Sequence, residues 1–261
     1  MDEFEARRSA YLERILQLAQ GLPVDAVISD EAAAVVRRWP VYRLPAPVMV
    51  TRTRGRAMRT SDVYVRIAGL RPWDRTVVDG IPCTSAARTV VDLGRRLPFR
   101  EALVVADAAL RSGVERNGIS DVLRHQYNWP GIFPAKAVVR HADARSESAL
   151  ESVVRSRFLE LRLPTPELQV NIYNGPSWIA RVDFDLKAYN TVGEADGRGK
   201  YLQSDDELWA EKQRQDAIEE TGREVIRWNW RTAHAPDRVF AERVWRKLRR
   251  GLYLRGFDPS T

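Results

Sequence analysis

The rhythm of residues 148–248 constrains the fold most. Ser148-Ala-Leu-Glu151 reads as a capping box, a Ser or Thr followed three residues later by an acid. It opens a helix whose Leu150, Val153, Val154, Phe158 and Leu161 share one face. Pro164 and Pro166 end it, since proline lacks the amide a helix needs. Three short β-rich runs follow, Leu168–Tyr173, Ile179–Leu186 and Thr191–Glu194, joined by Asn174-Gly-Pro and Lys187-Ala-Tyr-Asn turns. A helix over residues 205–221 stops at Gly222, and Glu224–Trp230 is β-rich again. The order helix, three strands, helix, strand, helix demands a small sheet covered by helices.

The region before it has another pattern. Residues 4–19 space Phe4, Leu12, Ile15, Leu16 and Ala19 as an amphipathic helix, and Ser29 stands as N-cap of a short second helix closed at Pro40. VMVTRTRGRAMRTSDVYVRI alternates like strands around a glycine turn. Helices are then expected from Thr84 or Ser85 onward, over 99–112, 119–127 and 134–141. The polar run Ala142-Asp-Ala-Arg-Ser146 marks the boundary, giving domains at 1–143 and 144–261. The expected class is α+β, with a mostly helical first domain holding a small sheet.

Composition removes several function classes. Cys83 alone makes neither an intrachain disulfide nor a cysteine-based zinc site, and His125, His141 and His234 lack metal-ligand spacing. No run approaches the roughly 18 apolar residues of a membrane span. The charged amino terminus does not look like a secretory signal, so a cytoplasmic protein without membrane contact is expected. The net charge of +7 makes a polyanion the first partner to consider. Eight arginines, among them Arg52, Arg54, Arg56 and Arg59, lie between positions 43 and 75 against only Asp62 and Asp74. A second basic run, from Arg227 through Arg231 to Arg255, has nine Lys or Arg against two acids. Both suit a phosphate backbone.

The chemistry lies in the minority charge. IARVDFDL places Asp183 and Asp185 on one face with Arg181, and TVGEADG ends on Glu194 and Asp196, two residues apart and so on one side of a strand. A lone acid at a strand end is a solvated group. Three on adjacent strands repel unless a cation is shared, and a hard divalent metal with oxygen ligands relieves that repulsion.

These residues resemble a known family. Ser148, Glu151 and Arg155, then LPTP, VDF, Gly193-Glu194-x-Asp196-Gly197-x-x-Lys200-Tyr201, Glu211-Lys212-x-Arg214, Gly222 and V-x-R-W-x-W look like the DUF559 family, over about residues 144–248. That family sits in the very-short-patch-repair-like branch of the PD-(D/E)XK nucleases. The resemblance implies an αβββαβ core and Mg²⁺ (or Mn²⁺) held by Asp183, Glu194 and Asp196, with Glu151 completing the site. Asp196 stands where the wider superfamily has lysine. Lys200 is the first choice for the missing cation, with Lys212 or Arg214 next. The implied activity is metal-dependent endonucleolytic cleavage or nicking of DNA, in repair or defence; an RNA substrate would use the same acids. The first half is similar to the carboxy-terminal part of AbiEi-type antitoxins, so a non-catalytic DNA-binding regulator is the alternative. Thr84, Arg88, Thr89 and Asp92 are its family-like polar positions, and they also read simply as a helix cap and an ion pair.

Overall fold

The computed structural model describes residues 3–197 and 205–256, and the chain divides into two compact units, Met1–Ala149 and Leu150–Thr261. The class is α+β, as expected.

The first unit contains α1 (Glu3–Ala19), β1 (Ala26–Ile28), α2 (Asp30–Val36), β2 (Val48–Arg52), β3 (Met58–Arg59), β4 (Val63–Ile67), β5 (Arg75–Val78) and β6 (Ile81–Thr84). Four helices follow: α3 (Ala86–Arg96), α4 (Phe99–Arg111), α5 (Arg116–His125) and α6 (Ile132–His141). The expected small sheet is a six-stranded mixed sheet in the order β3-β4-β2-β1-β6-β5. β1 makes it one sheet, pairing antiparallel with β2 and parallel with β6. Ser29 precedes α2 as expected, but its hydroxyl donates to Asp30 Oδ2 at 3.0 Å and caps nothing. Ser85 does cap α3, accepting from the Arg88 amide.

α3 is the hub, touching α2, α4, α5 and α6. Gly94 permits the approach of α6, because a Cβ there would lie 3.1 Å from Ala135 Cα. Its polar side is buried and ionic. Asp92, with no exposed side-chain surface, receives Arg88 Nε at 2.8 Å, Arg66 at 3.0 Å and Arg95 at 3.2 Å. Arg88 also reaches Asp74 at 3.1 Å. The Arg88 and Arg95 guanidinium carbons each lie 4.9 Å from the Trp129 ring centroid. Arg88 and Asp92 therefore form the ion pair their spacing suggested, within a larger network.

The second unit runs α7 (Ala149–Glu160), β7 (Glu167–Asn174), β8 (Ser177–Leu186), β9 (Thr191–Ala195), α8 (Asp205–Glu220), β10 (Glu224–Trp228), α9 (Trp230–Ala233) and α10 (Asp237–Leu254). The sheet order is β10-β9-β8-β7, with β7-β8-β9 antiparallel and β10 parallel to β9. Phe158 of α7, Phe240 of α10, Phe184 of β8 and Trp228 of β10 are fully buried together, with ring centroids 5.6–6.2 Å apart. A second cluster joins Ile218 of α8 to Ile172, Ala180, Val182 and Val192. Every side chain of that second cluster is apolar, so the acids of β8 and β9 stand out against it.

Candidate active site

β8 and β9 pair Phe184 with Gly193, Asp185 with Val192 and Leu186 with Thr191. Asp183 and Glu194 stand one step beyond this ladder on the two strands. Glycine is required at 193, since a Cβ there would lie 2.5 Å from Trp228 Cζ3. The Trp228 ring thus holds β9 close, and β9 carries Glu194 against β8.

Asp183 Oδ2 accepts from the Ala195 amide at 2.8 Å, so its carboxylate sits against the peptide that follows Glu194. Its Oδ1 accepts from Gln169 Nε2 at 3.3 Å, and the same nitrogen donates to Glu151 Oε2 at 2.9 Å. Glu151 of α7, Gln169 of β7 and Asp183 of β8 are therefore linked through one amide. Burial pushes the Asp183 carboxyl above its usual range; the Ala195 amide, Gln169 and Arg214 oppose this, and Asp196 adds to it.

Glu194, with 4% of its side chain exposed, is gripped by Arg214 Nη1 at 2.6 Å and Arg227 Nη2 at 3.0 Å. Arg227 also reaches Asp196 at 3.8 Å, so Glu194 and Asp196 do face one side, as alternation required. Asp196 extends the β9–β10 pairing, its amide donating to the Trp228 carbonyl at 2.7 Å.

Several expected placements change. Asp185, which was not among the expected ligands, lies apart from this group and pairs with Arg223 at 3.0 Å. Arg227, read as part of a phosphate-binding run, and Arg214, read as a candidate for the missing cation, are engaged with carboxylates here. Lys212 and Arg231 are exposed. Lys200 lies outside the described residues. In the first unit Arg52 is held by Asp25 at 2.8 Å, while Arg54, Arg56 and Arg59 lie in an exposed stretch around β3. Gln169 is the site residue that sequence reasoning missed. Its signal was a polar amide inside the apolar run Leu168-Gln-Val-Asn-Ile172.

Among the described residues, no three His, Cys, Asp or Glu form a ready-made metal cage. Of the expected ligands Asp183, Glu194 and Asp196, Glu194 carries two arginines here and Asp183 an amide. Magnesium, however, is held through one or two carboxylates plus waters and substrate oxygens. Asp183 beside the Glu194 peptide, with its charge disfavoured by burial, suits that demand in donor type and number.

Comparison with known proteins adds sequence likeness without function. Two uncharacterized proteins of Mycobacterium tuberculosis, MT2308 of strain CDC 1551 and Rv2248 of strain H37Rv, are each 39% identical to the chain over 108 residues. That stretch is 41% of this chain and 40% of each relative, so the chain spans about 40% of the length of the curated relatives it matches. No family model and no solved structure matches the chain.

Proposed function

We propose that the Leu150–Thr261 unit is a metal-dependent DNA endonuclease or nickase. The observation that carries this reading is the convergence of Glu151, Asp183 and Glu194 from α7, β8 and β9, with Gln169 joining the first two and Arg214 and Arg227 on the third. The DUF559-like motif supports it.

Asp183 and Glu194 would hold Mg²⁺ or Mn²⁺, with Glu151 at one remove. Such an ion offsets phosphate charge and lowers the pKa of a bound water toward neutrality. Arg214 and Arg227 do the work expected of cations here. From their places beside Glu194, these guanidiniums would stabilise charge developing on the phosphodiester oxygens. The Arg214 side chain is 33% exposed and that of Arg227 27%. Lys200 keeps the assisting role the resemblance implies. Asp196 holds Arg227 in reach. The exposed Arg54, Arg56 and Arg59 grip the backbone without reading sequence.

One observation favours the competing reading, a non-catalytic DNA-binding regulator: Glu194 already has two guanidinium partners, as a scaffold without metal would arrange. Asp183→Ala separates the two. The nuclease reading expects loss of Mg²⁺-dependent cleavage with salt-sensitive DNA binding retained. Unchanged cleavage by the variant, or binding without cleavage by the wild type under Mg²⁺ and Mn²⁺, favours the regulator.

A further inference from the structure

Asp92 is a crowded carboxylate. Arg66, Arg88 and Arg95 all pair with it, at 3.0, 2.8 and 3.2 Å. Asp74, Asp30 and Glu31 continue the network, and they take up Arg71 and Arg96 as well. Five guanidiniums thus share four carboxylates, none with more than 6% of its side chain exposed. Two buried donors, Arg66 Nε and Arg88 Nη2, find no acceptor among the described residues. A buried charge without compensation is costly, and within ion-pair reach this network is one anion short.

The shortfall opens onto a pocket. Arg66 and Arg95 line a cavity of about 430 Å³ together with residues 67–69 and with Asn128, Trp129 and Pro130. Arg95 gives Nε to the Pro130 carbonyl at 2.8 Å and Nη1 to Asp92 and Gln126, both at 3.2 Å. Holding the fold accounts for those two nitrogens and leaves Nη2 without a hydrogen bond among the described residues. The Trp129 indole N–H and the Asn128 side-chain amide likewise make none among the described residues. Burial pushes the Arg95 guanidinium below its ordinary value; Asp92 opposes this, and the charges of Arg66 and Arg88 add to it. Three unused donor groups around an excess of positive charge suit an anion.

We infer that this pocket is a binding site for a phosphate monoester, with Arg95 Nη2, the Trp129 indole and the Asn128 amide as donors to its terminal oxygens. A monoester brings about 1.5–2 negative charges and three acceptor oxygens, which match the missing charge and the three donor groups better than a backbone phosphodiester with its single charge does. The volume leaves room beside the phosphate for the group esterified to it, a nucleoside either free or at the end of a strand. Every residue of the site belongs to the first unit, so the inference does not rest on the nuclease reading of the second.

Binding by the full chain is read in EDTA, where metal-dependent cleavage is silent. Fluorescence anisotropy compares a labelled single strand ending in a 5′-phosphate with the same strand ending in a 5′-hydroxyl, and calorimetry compares thymidine 5′-monophosphate with thymidine. In at least one pair the phosphorylated member should bind about tenfold or more tightly than its partner, as charge-assisted hydrogen bonds provide. Preference in the strand pair alone identifies a strand end as the ligand, and preference for the monophosphate identifies a free nucleotide. Arg95→Lys keeps the charge and removes Nη2, while Ala68→Glu keeps every arginine and sets a carboxylate at the pocket wall. Both variants should bring the preference to within about twofold, and Ala68→Glu should keep the wild-type melting midpoint. No preference in either pair overturns the inference. A preference that survives in Ala68→Glu also overturns it, because the phosphate then binds elsewhere. Loss of preference only together with the melting midpoint in both variants overturns it as well, since the pocket would then be serving the fold.

Discussion

Adding one methyl group at Gly193 should damage both the second unit's stability and the proposed metal site. A Cβ there would lie 2.5 Å from Trp228 Cζ3, 3.0 Å from Trp228 Cη2 and 3.2 Å from Phe184 Cβ. Carbon contacts are comfortable near 3.5–4.0 Å, so a shift of about 1 Å is needed. The Trp228 ring has nowhere to go, because it is fully buried against Phe158, Phe184 and Phe240. Overpacking of a filled core costs about 1–3 kcal/mol, and a boxed indole places this site at the upper end. With a urea m-value of about 2 kcal/mol/M, a loss of about 2–3 kcal/mol lowers the midpoint by about 1–1.5 M. Tryptophan fluorescence during urea unfolding measures it. Movement of β9 also displaces Glu194 and the Ala195 amide that holds Asp183, so Mn²⁺ affinity should fall in parallel. Trp228→Phe removes the two clashing ring atoms, so the double variant should lose less than the sum of the single losses. An unchanged midpoint for Gly193→Ala, or strict additivity in the double variant, refutes the packing argument.

Other expectations follow from individual groups. Cys83 is fully buried and its thiol is pushed up to about 11 by that burial, so a disulfide reagent at pH 8 should label it only on unfolding; rapid labelling of the native protein contradicts its placement. Asp92→Ala strands Arg66, Arg88 and Arg95, and should cost about 3 kcal/mol in denaturant unfolding, as removal of one member of a buried ion network does. Asp183 binds its proton more tightly folded than unfolded, so the stability from that tighter binding is fully present below the unfolded pKa near 3.8 and is lost as pH rises through the raised folded value. Melts in EDTA from pH 4 to 7 should therefore show the wild type losing ground to Asp183→Asn as pH rises, and the opposite trend contradicts the burial of that charge. Replacing Arg54, Arg56 and Arg59 together by alanine should flatten the log–log salt dependence of DNA binding by about 2–3, close to 0.9 per lost phosphate contact; an unchanged slope removes that stretch from the interface.

How much was legible in the sequence depended on whether the cause was local. The helix and strand order of the second unit is carried by periodicity, proline and glycine, and β7, β8, β9 and β10 stand close to where those signals place them. β1 was missed because its three residues become a strand only by pairing with a distant partner, Ala26 with Arg52; β5 and β6, a local hairpin with Val78 opposite Ile81, were missed because the apolar run after Ile81 was read only as the approach to a helix. The carboxylates were visible because charge breaks an apolar pattern. Their partners were not: Arg214 and Arg227 sit among many arginines, and only the fold selects these two for Glu194. Gln169 was hidden for a further reason, since it stands on a left-handed backbone, at φ +56°, that glutamine does not advertise.

Conversion of supercoiled plasmid to nicked or linear DNA by the full chain, with Mg²⁺ against EDTA and beside Asp183→Ala, tests the central claim most directly. The account predicts cleavage that requires the metal and disappears in the variant. Cleavage that survives EDTA or the loss of Asp183, or none by the wild type with either Mg²⁺ or Mn²⁺, contradicts it.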